Sequence, residues 1–322
     1  MILVYAESNN KKFKKSSYEA ISYGKKLSEL IKSDFTVITI GTNLDHSILK
    51  EYGANDIVHV PIDPKDNYDD EIYSNIISDY FNKKNFDIII VSNTNHGKSI
   101  TPSISYTTSC SLITNVVELP SSIEPFIIKK KVFSNKAFAN YEISNNKKII
   151  SISPNSFGIN EIKSNSNTEF KELSPDIDYT SKLNSISINK NADKISLPEA
   201  DLVVSAGRGL KGPENWKMIE ELSQVLGAAT ACSKPVSDIG WRPHSEHVGQ
   251  TGISINPELY IAIGISGAIQ HLAGVSSSKN IVVINTDKDA PFFKAADYGV
   301  VGDAFDVIPK LISEIKKFKS DN

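Results

Sequence analysis

Short apolar runs alternate with segments of helical period from the start of the chain. Ile2–Ala6 reads as a strand. Ser17–Lys32 places Tyr18, Ile21, Leu27 and Ile31 roughly on one stripe and reads as a helix. Phe35–Ile40 predicts the next strand, Asp45–Tyr52 a helix and Ile57–Val60 a short strand. Glu71–Phe81 has helical period, and Phe86–Val91 reads as a buried strand. This alternation predicts a parallel sheet covered on both faces.

From Ile123 to Ser153 the pattern changes. PFIIKKKVFSNKAFANYEI and KKIISIS alternate apolar and polar positions, which predicts antiparallel hairpins at a sheet edge. Ile159–Pro198 is rich in Ser, Asn and Lys and reads as a connector with one edge strand near Glu169–Leu173. The α/β rhythm then resumes. Strands are expected at Asp201–Ala206, Ala228–Cys232, Leu259–Ile265, Ile281–Ile284 and Tyr298–Val301, with helices at Asn215–Leu226 and Val307–Phe318. The fold class that follows is α/β. An N-terminal parallel-sheet domain spans 1–195, including the connector at about 159–195, and a doubly wound Rossmann-like domain spans 196–322.

Bulk properties narrow the function. A chain of 322 residues exceeds one ordinary core. The net charge of −3 leaves no electrostatic footprint for nucleic acid. No apolar run approaches the roughly 20 residues of a membrane span, and no charged-then-apolar leader opens the chain, so neither membrane embedding nor secretion is expected. Cys110 and Cys232 match neither a metal nor a disulfide spacing, which suits a reducing cytoplasm.

Ligands of parallel α/β sheets bind beyond the carboxyl ends of the strands. In the second half those ends carry Gly207 and Arg208, Ser233 and Lys234, Ser266 and Gly267, then Asn285, then Asp303. Any one of these is ordinary turn or N-cap chemistry. Five together on one edge predict a binding crevice. SGAIQHLAG reads as a helix starting directly after a buried strand, with free N–H groups suited to phosphate and Gly267 admitting an anion. VGQTG would present Gln250 and Thr251 from an irregular loop.

GRGLKG has the G-x-G-x-x-G form after a strand. The ribose-binding acid expected about 20 residues on is missing, because Ser233 and Lys234 stand there and Asp238 comes too late. An ordinary NAD domain is therefore disfavoured, although the glycines still permit close ligand approach. His244 and His247 in RPHSEH read as loop residues, since no third metal ligand is apparent. NTNHGKS, with Asn95, His96 and Gly97, reads as a turn or interface segment.

GRGLKGPENW, ACSKPVSDIGWRPHSEHVGQTG, PELYIAIGISGAIQHLAG and IVVINTDKDAPFFKAADYGVVGD, in that order, resemble the alpha subunit of electron transfer flavoprotein. The resemblance runs from about Asp201 to Ile315, and the first half is similar in rhythm and in its ILVYAE opening. It implies a bound FAD and a heterodimer with an electron transfer flavoprotein beta subunit, on which the first domain packs. The implied function is that of an electron carrier with no substrate chemistry of its own. It would pass electrons singly, through an anionic semiquinone, from acyl-CoA dehydrogenases of fatty acid beta-oxidation and related enzymes to a membrane quinone oxidoreductase.

By position, the resemblance implies FAD contacts at Arg208, Ser233, Lys234, Val248, Gly249, Gln250 and Thr251. It implies further contacts at Ser266, Gly267, Ala268, Ile269, Gln270, His271, Asn285 and Asp303. Thr251 would sit near flavin N5 and His271 on the O2 side of the ring. Ser266, Asn285 and Asp303 would hold the ADP half. Family members typically carry arginine where Lys234 stands; lysine keeps the charge and loses the planar fork. They also often carry lysine at the position of Ile253. Two other classes stand beside this reading: a nicotinamide-dependent dehydrogenase, resting on GRGLKG, and a nucleotide-sensing module without redox chemistry.

Overall fold

A computed structural model describes residues 1–9, 11–62, 69–133, 135, 137–162, 169–174, 183 and 195–321. The chain divides into two compact units, Met1–Val132 with Phe138–Lys190, and Phe133–Ala137 with Asn191–Asn322. Both are α/β.

The first unit opens with strand β1 (Ile2–Ala6), the small antiparallel pair β2 (Ser8–Asn9) and β3 (Lys12–Phe13), and helix α1 (Lys15–Ile31). Then come β4 (Phe35–Ile40), β5 (Asp56–Val60), α2 (Asp70–Lys83), β6 (Ile88–Ser92) and α3 (Asn95–Thr108). Strands β7 (Ser111–Val116), β8 (Ser122–Ile123), β9 (Phe126–Val132), β10 (Ala137–Ile143), β11 (Lys148–Ile152) and β12 (Glu169–Glu172) complete it. The sheet order is β10-β9-β7-β11-β6-β1-β4-β5-β12, with β8 beside β9. Strand β1 divides its side chains between two cores: Ile2, Val4 and Ala6 face one, Leu3 and Tyr5 the other. Residues of α1 fill the first core and residues of α2 and α3 the second, so the sheet is covered on both faces.

Three local expectations change. The helix expected at Asp45–Tyr52 is a run of 3-10 turns over His46–Tyr52, capped by the Asp45 carboxylate and closed by Gly53 at φ +99°. NTNHGKS is the start of α3, where the Thr94 hydroxyl accepts from the Gly97 N–H at 3.0 Å. Any side chain at Gly97 would collide with the Ser92 carbonyl. Strand β11 is not part of an edge hairpin. It lies between β6 and β7, parallel to both and buried throughout. Its Ser151 looks like an outward polar position in sequence, but the hydroxyl is buried and donates to Asn93 Oδ1 at 3.0 Å. The expected edge strand near Glu169–Leu173 is present as β12, parallel to β5; most of the remaining connector lies outside the described residues.

In the second unit, β13 (Leu202–Ala206), α4 (Lys217–Leu226), β14 (Ala229–Cys232), α5 (Lys234–Asp238) and β15 (Leu259–Ile263) are followed by α6 (Ile269–Val275), β16 (Asn280–Asn285), β17 (Tyr298–Val301) and α7 (Ala304–Asp321). The five strands are parallel in the order β14-β13-β15-β16-β17. Ile219 and Leu222 of α4 pack with Ile308 and Ile312 of α7 in one core. Val248, Val275 and Phe292 belong to the other. The sheet is thus doubly wound, and its strand order reverses between β13 and β15. Ligands of such sheets bind at that switch point.

Candidate functional site

A cavity of about 600 Å³ opens at that point, within the roughly 300–1,000 Å³ usual for cofactor sites. All of its lining residues belong to the second unit. Every site residue expected from sequence lines it except Gly267, Ile269 and Asp303.

Glycines bring the walls together. Gly207 N–H donates to Ile263 O at 2.9 Å, and Gly209 N–H to Gly264 O at 3.1 Å. Gly264 has φ +59°, and a Cβ there would stand 2.8 Å from Gly209 Cα. Gly207 and Gly209 of the G-x-G-x-x-G run therefore let two strand tips touch backbone to backbone. Gly267 differs from expectation. A Cβ on it would stand 2.5–2.6 Å from Phe292, so its small size serves packing. Helix α6 begins at Ile269, two residues later than its position after the strand suggests, and Ser266–Ala268 form an irregular link with Gly267 at φ +85°.

The VGQTG loop is built onto α6. Gln250 N–H donates to Gln270 O at 2.7 Å, and Ile255 N–H to Gly274 O at 2.9 Å. Gln250 and Thr251 are exposed at the cavity rim. Asn285 is already satisfied within the protein: Nδ2 donates to Ile265 O at 3.0 Å, and Oδ1 accepts from Asp287 N–H at 3.0 Å. It fixes the tips of β15 and β16. Asp303 lies off the cavity, where its carboxylate accepts from Phe305 N–H at 3.0 Å and caps α7.

Two histidines stand in the wall. His271 is 7% exposed, and its Nε2 is hydrogen-bonded to the buried Tyr260 hydroxyl at 2.8 Å. Burial, with a smaller effect from a charge on His247, pushes its pKa down to about 4. The backbone of Val248 offsets part of this but leaves Nδ1 without a hydrogen bond. His247 is 2% exposed, its Nδ1 is also unpartnered, and burial lowers its pKa. Lys234 and Arg208 are exposed at the mouth, and neither has an ion pair among the described residues. Asp238 and Asp287 complete the charged lining.

Sequence reasoning missed His247, Asp238, Asp287 and Gly264 as lining residues. A buried loop histidine leaves no periodic signal; only the pairing of His247 with Cys232 of β14 brings it to the cavity. Among the described residues no group of three His, Cys, Asp or Glu is placed to hold a metal.

Fold and site together define a doubly wound α/β protein with a dinucleotide-sized crevice at its switch point. Models of the electron transfer flavoprotein domain and of the electron transfer flavoprotein FAD-binding domain match residues 2–178 and 196–276. The chain is 33% identical to the electron transfer flavoprotein subunit alpha of Bacillus subtilis, covering 98% of this chain and 97% of the relative. It is 35% identical to that of Thermoanaerobacterium thermosaccharolyticum, over 99% and 98%. A mitochondrial subunit alpha from Dictyostelium discoideum is 53% identical over 130 residues, covering 40% of this chain and 37% of that protein. The chain belongs to the alpha subunits of electron transfer flavoproteins, and its cofactor is FAD.

The residues present fit that cofactor. Among the described residues, buried imidazole nitrogens without a hydrogen bond stand in the wall, the cations at the mouth have no ion pair, and the exposed Gln250 and Thr251 side chains make no hydrogen bond. Among the described residues, no helix is long and apolar enough to cross a membrane.

Proposed function

We propose that this chain, paired with an electron transfer flavoprotein beta subunit in the cytoplasm, carries electrons singly from acyl-CoA and related dehydrogenases to a membrane quinone oxidoreductase. It has no substrate chemistry of its own. The first domain, 1–195, packs on the beta subunit, and 196–322 holds the cofactor.

Bound FAD supplies the redox chemistry; the chain supplies position and charge. The observation that carries the reading is a lining that combines the Lys234 cation at the mouth with the buried, neutral His271, whose Nδ1 is unpartnered. Positive charge at Lys234 would favour the negative charge that an added electron brings to the ring. Tyr260 holds the ring plane of His271 through Nε2 and leaves Nδ1 for the ligand. The Gly249–Gly252 turn, tied to α6, holds Thr251 at the cavity rim, where it would face the flavin ring. Ser266 and Asn285 line the cavity at the strand tips, where they would hold the ADP half. Apolar Val248 and Ile265 exclude water between these polar groups.

The test is co-purification with the beta subunit. A yellow complex that takes up one electron per flavin in a dithionite titration, and passes it to an acceptor protein, is expected. A colourless complex that binds no added FAD would reject the reading.

A further inference from the structure

His247 is buried in the wall beside the loop that presents Gln250 and Thr251. Its backbone is fixed on both sides: the next residue, Val248, donates to Cys232 O at 3.1 Å, and Ile253 N–H donates to His247 O at 2.8 Å. Its ring fills the space that the loop glycines leave. A Cβ on Gly252 would stand 2.7 Å from its Nδ1, and one on Gly249 would stand 3.4 Å from its Nε2. An imidazole held so firmly has no freedom to turn toward a partner, and its Nδ1 has none. A buried polar atom left unsatisfied costs about 1–3 kcal/mol, and such atoms in native structures call for a specific explanation.

The charged groups around His247 set its protonation. Burial opposes a proton most, followed by His244 on the preceding turn; Lys234 of α5 opposes it too. Asp238 at the end of α5 favours it. His271 of α6 is coupled to it in the opposing sense. Cys232 on β14 is neutral, its thiol pushed up to about 12. Arg242 and Glu246 are closed on each other by two hydrogen bonds, at 2.7 and 2.8 Å. These neighbours and its burial bias His247 toward the neutral form.

We propose that His247 is a second cofactor-facing histidine, which takes a proton from solvent when the ring held in this cavity gains an electron, and so ties the first electron to pH. The inference rests on FAD occupying the cavity as proposed above. The electron comes from an external reductant, dithionite in the experiment below. The proton comes from hydronium, whose O–H bond breaks as the imidazole N–H bond forms. His247 acts beside the ring as a charge-setting residue and makes no covalent bond to it.

The experiment uses the complex with the beta subunit, loaded with FAD. The first-electron midpoint potential is measured by dithionite titration between about pH 6 and 8.5. In the parent complex the potential falls as pH rises, toward the about 59 mV per pH unit of one proton per electron. In His247→Gln and His247→Ala complexes that retain FAD the slope drops by half or more. In His271→Asn part of the slope survives.

Bound FAD with an undiminished slope in both His247 variants overturns the proposal. So does a slope that vanishes in His271→Asn alone. If neither His247 variant retains FAD, the parent complex still decides, because a pH-independent first potential there overturns the proposal as well. A parent complex that takes up no FAD refutes the cofactor reading itself, a distinguishable failure.

Discussion

The backbone N–H of Gln250 donates to the carbonyl oxygen of Gln270 at 2.7 Å, joining the two glycine-flanked segments on either side of β15 into one wall. Gly249 and Gly274 make that closeness possible. A Cβ on Gly274 would stand 2.5 Å from Gly249 N and 2.6 Å from its Cα. Those atoms are backbone and cannot swing aside. Ordinarily a Gly→Ala change inside a helix gains up to about 1 kcal/mol. Here the clash decides the sign. Gly274→Ala is expected to weaken FAD binding at least tenfold and to lower the midpoint of thermal unfolding. Fluorescence titration with FAD and a melting curve check both.

Lys234 stands at the mouth without an ion pair among the described residues. Lys234→Ala is expected to lower the first-electron potential by on the order of 60 mV, about 1.4 kcal/mol. Lys234→Arg should hold or raise it, because guanidinium keeps the charge and adds a planar fork. A dithionite titration that is the same in all three proteins would place Lys234 away from the ring.

Arg242 pins the loop between α5 and the VGQTG turn. It holds the nearly buried Glu246 through two hydrogen bonds, reaches Glu220 at 2.8 Å and lies over the Trp216 ring at 5.3 Å. Removing it takes away the two hydrogen bonds that the cation gives to the buried Glu246 carboxylate. Arg242→Ala is expected to destabilise the second unit by about 3–5 kcal/mol, seen as a lower urea midpoint. Arg242→Ala combined with Glu246→Gln should recover part of the loss, since no bare charge then remains inside.

Histidine burial makes the fold acid-sensitive. Burial pushes His271 and His46 down to about 4, and His96 down to about 3. The unfolded chain binds protons at these positions near pH 6.5, and the folded chain does not. Stability is therefore fully present above about pH 6.5 and is lost as pH falls toward 4. Each fully buried histidine contributes up to about 1.4 kcal/mol per pH unit across that window. Urea midpoints should fall from pH 7 to pH 5, and His96→Gln should make the fall shallower.

Much of the second unit was legible because its signal is local. Five apolar runs with polar or glycine ends mark the strand tips, and the tips mark the crevice. What sequence could not give was the purpose of each small residue. Gly207 and Gly267 look like ligand-approach glycines, yet their neighbours are Gly264 and Phe292. In the first unit, α3 was missed because Ser and Thr carry its length. Thr101 and Thr108 turn their hydroxyls back to Gly97 O and Ile104 O, so a polar face is satisfied by its own helix. Strand β11 reads as an edge in sequence because Ser151 breaks its apolar run, and no local pattern reports the distant Asn93 that satisfies it.

The place of β11 also governs how the first unit is assembled in time. Lys148–Ile152 is the link between β6 and β7, so the flap of β7, β9 and β10 joins the rest of the sheet through a segment that leaves the ribosome after all of them. In the folded sheet β6 and β7 are joined only through Lys148–Ile152, so the sheet is continuous only with that strand in place.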